Sequence, residues 1–209
     1  MNMKKVDKNK FKFTKLQKEI LIGLLLGDGH LEQVSSYSWR LKIEQSYEKE
    51  DYVNHLFDIF KDFCNVKPLL KIKSNGNKSL MFQTKSSVSL NYYGKLFYNN
   101  KIKIIPKLLF NKLTPISLAY WFMDDGSIKS KQSKGIILNT QGFTKDEVNL
   151  LINILINKFN LIAKLRKQKE GFQIYISGKS YDLLKTLIYT FLLDSMKYKF
   201  PKERKVKLN

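Results

Sequence analysis

The sequence predicts an α+β protein made of one unit used twice, and three observations carry that prediction. Two apolar helical runs, Leu21 to Gly29 and Leu118 to Gly126, end alike in an aspartate followed by glycine. Landmarks beyond each run recur at a nearly constant offset. Both halves then carry short segments in which apolar and polar residues alternate strictly.

The helices come first. Thr14 and Gln17 are spaced as a capping box ahead of the first run, and Thr114 places Pro115 at the first helical position of the second. Glycine then breaks each helix just after its acid. A carboxylate at that end faces the negative pole of the helix dipole, an unfavourable placement by about 0.3–1 kcal/mol. Two core helices whose last residues merely begin turns would explain either run alone. The matched pair suggests instead that a positive charge belongs there. If the helices pack side by side, Asp28 and Asp125 converge, and two adjacent carboxylates repel unless a cation lies between them. Gly23 and Gly27 leave one helix face nearly bare for close approach; Ala119 and Met123 repeat that seam only by half.

The duplication can be read from residue numbers. Asp125 follows Asp28 by 97 residues, while Gln141 follows Gln45 and Lys199 follows Lys103 by 96 each. In each copy the acid is followed by a strand ending in Gln and then an amphipathic helix. One helix carries Tyr52, Val53, Leu56, Phe57, Ile59 and Phe60; the other carries Val148, Leu151, Ile152, Leu155 and Ile156. Each copy closes on a lysine ahead of Pro106 or Pro201, with spacings that differ by one residue. This order reads as an ancestral unit duplicated and fused. The expected divisions are a flexible basic arm over 1–12, a first half over 13–106, and a second half over 107–209 ending in a basic tail.

These residues resemble the paired signature of the LAGLIDADG homing endonucleases, in the single-chain form that carries both copies. The segment Leu113 to Gly126, followed by Leu138 to Phe143, is especially close to the intron-encoded branch. The likeness spans roughly residues 14 to 201. It implies pseudo-twofold duplicated αββαββα units, two central packed helices and two antiparallel DNA-binding sheets.

Composition agrees with a polyanionic partner. Lys and Arg number 38 against 18 Asp and Glu, a formal charge of +20, which points to nucleic acid or an acidic membrane surface. The longest apolar run, Ile20 to Leu26, is far short of the roughly 20 residues a bilayer requires, so no membrane partner is expected. The single cysteine, Cys64, excludes an internal disulfide and a Cys-rich zinc site. With two histidines, His30 and His55, a site built on clustered His ligands is also disfavoured. The N-terminal arm has no apolar core of the secretory kind, and it contains Asp7 and no Arg, unlike a transit peptide. Heavy use of Lys, Asn and Ile points to an A/T-rich organelle gene.

The strands follow from period-two patterning. Tyr37, Trp39, Leu41 and Ile43 are expected inward, with Arg40, Lys42 and Glu44 outward. Leu70 and Ile72 are expected inward with Lys71 and Lys73 outward, Asn75 and Gly76 forming the turn. Leu80 and Phe82 then point inward and Met81, Gln83 and Lys85 outward. In the second half Ala163, Leu165, Phe172, Ile174 and Ile176 are inward, and Lys164, Arg166, Gln168, Gln173, Tyr175 and Ser177 outward. A last helix runs from about Ser180 to Leu192. The candidate DNA-binding residues are therefore Arg40, Lys42, Lys71, Lys73, Gln83, Lys85, Lys164, Arg166, Gln168, Gln173 and Tyr175, types that read base edges or grip phosphates. A merely solvated sheet face shows the same alternation, but with more acids than these faces carry.

The chemistry is implied by the resemblance. Asp28 and Asp125 are the expected metal-binding acids, one per strand cut, with the carbonyls of Gly27 and Asp124 as further ligands. Asp124 fills a variable motif position. The expected cofactor is Mg²⁺, with Mn²⁺ able to replace it. Lys103 and Lys199 match pocket lysines that stabilise developing charge or organise water, and Gln45 and Gln141 match peripheral positions that hold solvent. Lys49 and Lys145 are further basic candidates. The family makes staggered cuts with 3′ overhangs across the minor groove, its sheets lying in the major groove. Unlike halves imply a monomer on an asymmetric double-stranded DNA site. Two other functions share the scaffold: an RNA maturase that binds intron RNA, and a non-catalytic DNA-binding regulator. Retention of both acids and both lysines favours the nuclease.

Overall fold

A computed structural model describes residues 12–201. The basic arm expected over residues 1–12 lies outside them save for Lys12, as does the basic tail beyond Pro201. The chain forms two compact units. Among the described residues, one comprises 12–18 with 29–96, the other Glu19–Asp28 with 97–201. Each half runs helix, two strands, helix, two strands, helix, an α+β order.

The first unit opens with the start of α1 (Lys15–Leu26). The expected capping box is present: Thr14 N–H donates to Gln17 Oε1 at 2.9 Å, and Gln17 N–H donates to Thr14 Oγ1 at 3.1 Å. Strands β1 (His30–Ser35) and β2 (Ser38–Ser46), helix α2 (Glu50–Phe60), strands β3 (Leu69–Ile72) and β4 (Lys78–Gln83) and helix α3 (Asn91–Phe97) follow. The antiparallel sheet has the order β1-β2-β4-β3. Trp39, Leu41 and Ile43 of β2 are buried together with Tyr52, Val53, Leu56 and Phe60 of α2. Phe13 closes this core edge-on against Phe60 and Phe63, with ring centroids 6.0 and 4.8 Å apart. The β3–β4 turn is where it was expected: Gly76 has φ +80° and donates its N–H to the Lys73 carbonyl at 2.9 Å.

Four expected orientations in this unit are overturned. Leu70 and Ile72 are 49% and 66% exposed, not buried. Helix α2 packs across β2 and β4, leaving β3 at the edge with both faces open. Met81, expected outward, is buried between its cross-strand partners, Glu44 on β2 and Leu69 on β3. Tyr37 is exposed because it sits in the β1–β2 turn, ahead of the first pleated residue.

The second unit repeats the plan. A two-stranded ribbon, β5 (Tyr98–Asn99) and β6 (Ile102–Lys103), turns at Asn100 and Lys101, both with positive φ (47° and 66°). Helices α4 (Leu109–Lys112) and α5 (Pro115–Asp125) come next, then β7 (Gly126–Ile128), β8 (Ile136–Leu138), α6 (Lys145–Phe159), β9 (Ala163–Gln168), β10 (Gly171–Ile176) and α7 (Tyr181–Ile188). The sheet order, β7-β8-β10-β9, matches that of the first unit position for position. Thr114 caps α5 as expected, its hydroxyl accepting from Ser117 N–H, with Pro115 in the first turn. Helix α6 has a full capping box of Thr144 and Glu147, and Glu147 also accepts the Ile105 N–H at 2.9 Å. Ile156 is 40% exposed against expectation; Ile154 is buried. Helix α7 ends at Ile188 and gives way to a 3-10 turn over Tyr189–Phe191.

The segment Glu19–Asp28 packs inside this second unit, against α5. Ser117 Oγ donates to the Glu19 carbonyl at 2.7 Å, and a methyl group at Gly23 would lie 2.3 Å from the Ser117 carbonyl oxygen. Only the absence of a side chain lets the two backbones come so close. Gly23→Ala is therefore expected to cost about 2 kcal/mol or more, seen as a lowered urea midpoint with an unchanged slope. An unchanged midpoint would contradict the close helix contact.

Candidate active site

Both acids lie at the ends of this packed helix pair, but the ends differ. Helix α5 includes Asp125 as its last residue, whereas α1 stops at Leu26, two residues before Asp28. The last backbone bond of the first helix runs from Gly27 N–H to the Gly23 carbonyl at 3.2 Å. The next donor, Asp28 N–H, leaves the helix and donates to Asp124 Oδ2 at 3.0 Å. The Asp124 side chain is thus buried and turned toward the other motif.

The lysines arrive on separate elements. The tight β5–β6 ribbon presents Lys103, whose Nζ donates to the Gly27 carbonyl at 2.8 Å. The 3-10 segment Asp194–Lys199 presents Lys199, whose Nζ donates to the carbonyls of Met123 and, at 2.8 Å, Asp124. Each lysine therefore sits at the C-terminal end of one motif helix, meeting the negative dipole pole noted in the sequence. Phe200 behind Lys199 is buried against Phe122, Tyr181 and Tyr189, ring centroids 5.7, 5.3 and 5.6 Å away.

The electrostatics are those of crowded acids. Burial first, then the charges of Asp124 and Asp28, push the Asp125 carboxyl up to about 8, against a hydrogen bond from Trp121 and the nearby Lys103. The Trp121 indole N–H donates to Asp125 Oδ2 at 3.2 Å and orients it. Burial lowers the Lys103 ammonium from its ordinary value, with Asp124, Asp125 and Asp28 pulling it back up. No group of three or more His, Cys, Asp or Glu side chains arranged to hold a metal occurs among the described residues. What the site offers is the Asp28 and Asp125 carboxylates plus the carbonyls at their helix ends. That donor set fits a hard cation that takes few protein oxygens and completes its shell with water and phosphate.

Asp28, Asp125, Gly27, Asp124, Lys103 and Lys199 are thus gathered in one place. Trp121 escaped the sequence reading, although its spacing of four from Asp125 on a helix was a usable signal. The Asp124 contact had no such signal, because its partner is 96 residues away.

Only one of the two glutamines sits where the duplication implies. Gln45 is buried near the end of β2 in the first unit and accepts from Lys49 Nζ at 2.8 Å. Gln141 does not end a strand: β8 stops at Leu138, and Gln141 sits in the turn closed by Phe143 N–H on the Thr140 carbonyl.

The outward sheet faces are also less uniform than the alternation implied. In the first unit Arg40 pairs with Glu32 at 2.7 Å, while Glu44 draws in Lys71 at 3.2 Å and Lys42 at 3.8 Å. Lys73, Gln83 and Lys85 are exposed. A groove of about 410 Å³ on this unit is lined by Arg40, Gln83 and Lys85 beside Val34, Leu69 and Met81. In the second unit Lys164 and Arg166 are exposed, Gln168 is half-buried, and the Tyr175 ring takes the ammoniums of Lys129 and Lys164 at 5.1 and 5.5 Å. Gln173, expected outward, is buried in the central strand; its Nε2 donates to Asn139 Oδ1 at 2.7 Å, and its Oε1 has no partner.

Comparisons with known proteins place the chain in one family. The family model described as the LAGLIDADG DNA endonuclease family matches residues 18–184. A probable intron-encoded endonuclease 1 from Wickerhamomyces canadensis is 37% identical, covering 89% of this chain and 84% of its own. The cytochrome b mRNA maturase bI2 of Saccharomyces cerevisiae is 34% identical over 86% of this chain and 46% of its own. Among solved structures, the homing endonuclease I-WcaI bound to its DNA recognition sequence superposes with a TM-score of 0.84 at 35% identity, covering 92% of this chain and 89% of that one. With both motifs, the order of elements in each half and the converged acids all in agreement, the chain belongs to the LAGLIDADG DNA endonuclease family.

Proposed function

We propose that the protein is a site-specific homing endonuclease that hydrolyses one phosphodiester in each strand of a long, asymmetric double-stranded DNA target. It leaves 3′ overhangs and so promotes the mobility of its own intron. The observation that carries this reading is the pair of motif acids brought to one place, with a lysine at each helix end. Asp28 and Asp125 would hold the divalent metal, Mg²⁺ with Mn²⁺ as a substitute, together with the Gly27 and Asp124 carbonyls. When bound, the metal supplies charge neutralisation on the phosphate and an activated water. The chain's own residues set the geometry: Trp121 fixes the Asp125 carboxylate, and Lys103 and Lys199 hold positive charge where the leaving oxygen develops its negative one. Gln45 and Gln141 order solvent. The two sheets grip and read the duplex, Lys164, Arg166 and Tyr175 with Gln168 in one, Arg40, Lys42, Lys71, Lys73, Gln83 and Lys85 in the other. Affinity then falls with salt by a slope of about −0.9 per phosphate neutralised. The protein works as a monomer and is encoded in an organelle genome. No helix among the described residues is long and apolar enough to cross a membrane.

Likeness to a cytochrome b mRNA maturase favours a second reading, in which the same scaffold binds intron RNA and assists splicing. One experiment separates them. The purified protein is incubated, with and without Mg²⁺, with DNA spanning the insertion site from the intronless allele of its host gene. Cleavage into two fragments with 3′ extensions, only with the metal, is expected. Intact DNA alongside tight, specific binding of the intron transcript would replace the nuclease by the maturase.

A further inference from the structure

The peptide unit between Gly27 and Asp28 is gripped at both of its polar ends. Its carbonyl accepts from Lys103 Nζ at 2.8 Å, and its N–H donates to Asp124 Oδ2 at 3.0 Å. The peptide before Asp125 has no need of such an N–H acceptor, because Asp125 lies inside helix α5. The motifs therefore solve one problem differently. In the second, the helix itself fixes the acid's backbone. In the first, α1 has already ended at Leu26, and a carboxylate from the other motif takes the place of the missing helical acceptor. Gly27 is shaped to this contact: a methyl group there would lie 2.4 Å from Asp124 Oδ2 and 2.5 Å from its Cβ.

We propose that Asp124 is a positioning residue for Asp28: its buried side chain, docked in the space left by Gly27, fixes the backbone from which the first motif's acid projects. The relation is one-way. Position 27, the counterpart of 124 when the two acids are aligned, is glycine and has no side chain to return the favour. The consequence is an asymmetry between the two strand cuts, with the cut served by Asp28 depending on a residue of the opposite motif. The inference rests on the nuclease reading above, but part of its test does not.

That part is hydrogen exchange of the Asp28 amide, followed by NMR in the whole protein without metal or DNA. Strong protection is expected in the wild type and in Asp124→Asn, whose Oδ1 can still accept. Protection is lost in Asp124→Ala and in Gly27→Ala, the first lacking the acceptor and the second displacing it. On a cleavable duplex labelled on both strands, Asp124→Ala is expected to accumulate one nicked intermediate. The Asp28-dependent strand slows by about 10- to 100-fold, in the range that a misplaced group costs, well beyond any change in the other strand, where Asp124→Ala and Asp124→Asn act alike because both remove the charge beside Asp125. Asp124→Asn restores most of the loss. Loss of the amide's protection in Asp124→Asn as well as Asp124→Ala, or equal slowing of both strands, would mean Asp124 supports only the general packing and would overturn the proposal. An amide unprotected in the wild type would overturn it too, whatever the cleavage data show. A wild type that cuts no DNA while the amide behaves as expected would overturn the nuclease reading and leave the positioning contact standing.

Discussion

Asp28→Asn and Asp125→Asn are each expected to abolish double-strand cleavage while leaving binding of the intact duplex within about threefold of wild type. An amide has the size of the carboxylate and none of its charge, so the fold and the sheet faces are untouched. The loss falls on metal retention and on the charge balance at the phosphate. Stabilisation of that kind is worth several kcal/mol, and each 1.36 kcal/mol is a factor of ten in rate. A decrease of about 10³-fold or more follows for the strand served by the altered acid. Supercoiled plasmid carrying the target, sampled over time, would report nicked and linear forms separately. Full linearisation by either variant would remove that acid from the chemistry. Weakened binding without an effect on the cleavage step would assign it to DNA contact instead.

The second large effect is a linkage between pH, metal and stability centred on Asp125. Its carboxyl is pushed up to about 8 from an ordinary 3.8, by burial and by the charges of Asp124 and Asp28. In the unfolded chain it ionises near its ordinary value, so between the two values the native state holds a proton that the unfolded state has released. Stability from this group is present below the unfolded value and is lost as pH rises toward about 8. Without metal, the melting temperature is expected to decline across that window by several degrees, given about 2–4 °C per kcal/mol for a chain of this size. A divalent cation binds the ionised form, so the rise in melting temperature on adding Mg²⁺ should grow from about pH 6 to about pH 8.5. Asp125→Asn removes both the slope and the metal response. A metal-induced shift of equal size at the two pH values would show that Asp125 is already ionised, and would detach the cation from it.

Much of this is legible in the sequence alone. Capping residues, turn glycines and strict alternation act over a few residues, and Thr14 with Gln17, Thr114 with Pro115, and Asn75 with Gly76 did in the fold what their types dictate locally. The duplication was legible for a related reason, since a repeated element order leaves its offset in the numbering. The outward faces were less so. Alternation says which side chains share a face and not what covers it, so the edge position of β3 left Leu70 and Ile72 exposed, and the central position of β10 buried Gln173. The paired acids of the first unit's sheet likewise depend on register: Glu32 meets Arg40 because β1 and β2 place them opposite.

The sequence by itself determined the two motif acids, the glycine seam between their helices, the lysines that follow them and the strands that flank them, because each is a matter of residue type and short-range spacing. Only the tertiary structure decided that α1 ends before Asp28, that Asp124 accepts the amide so released, and that Lys103 and Lys199 reach the helix ends. Those outcomes depend on which backbone groups remain without a helical partner once the helices pack, and such groups take whatever donor or acceptor the fold brings within reach.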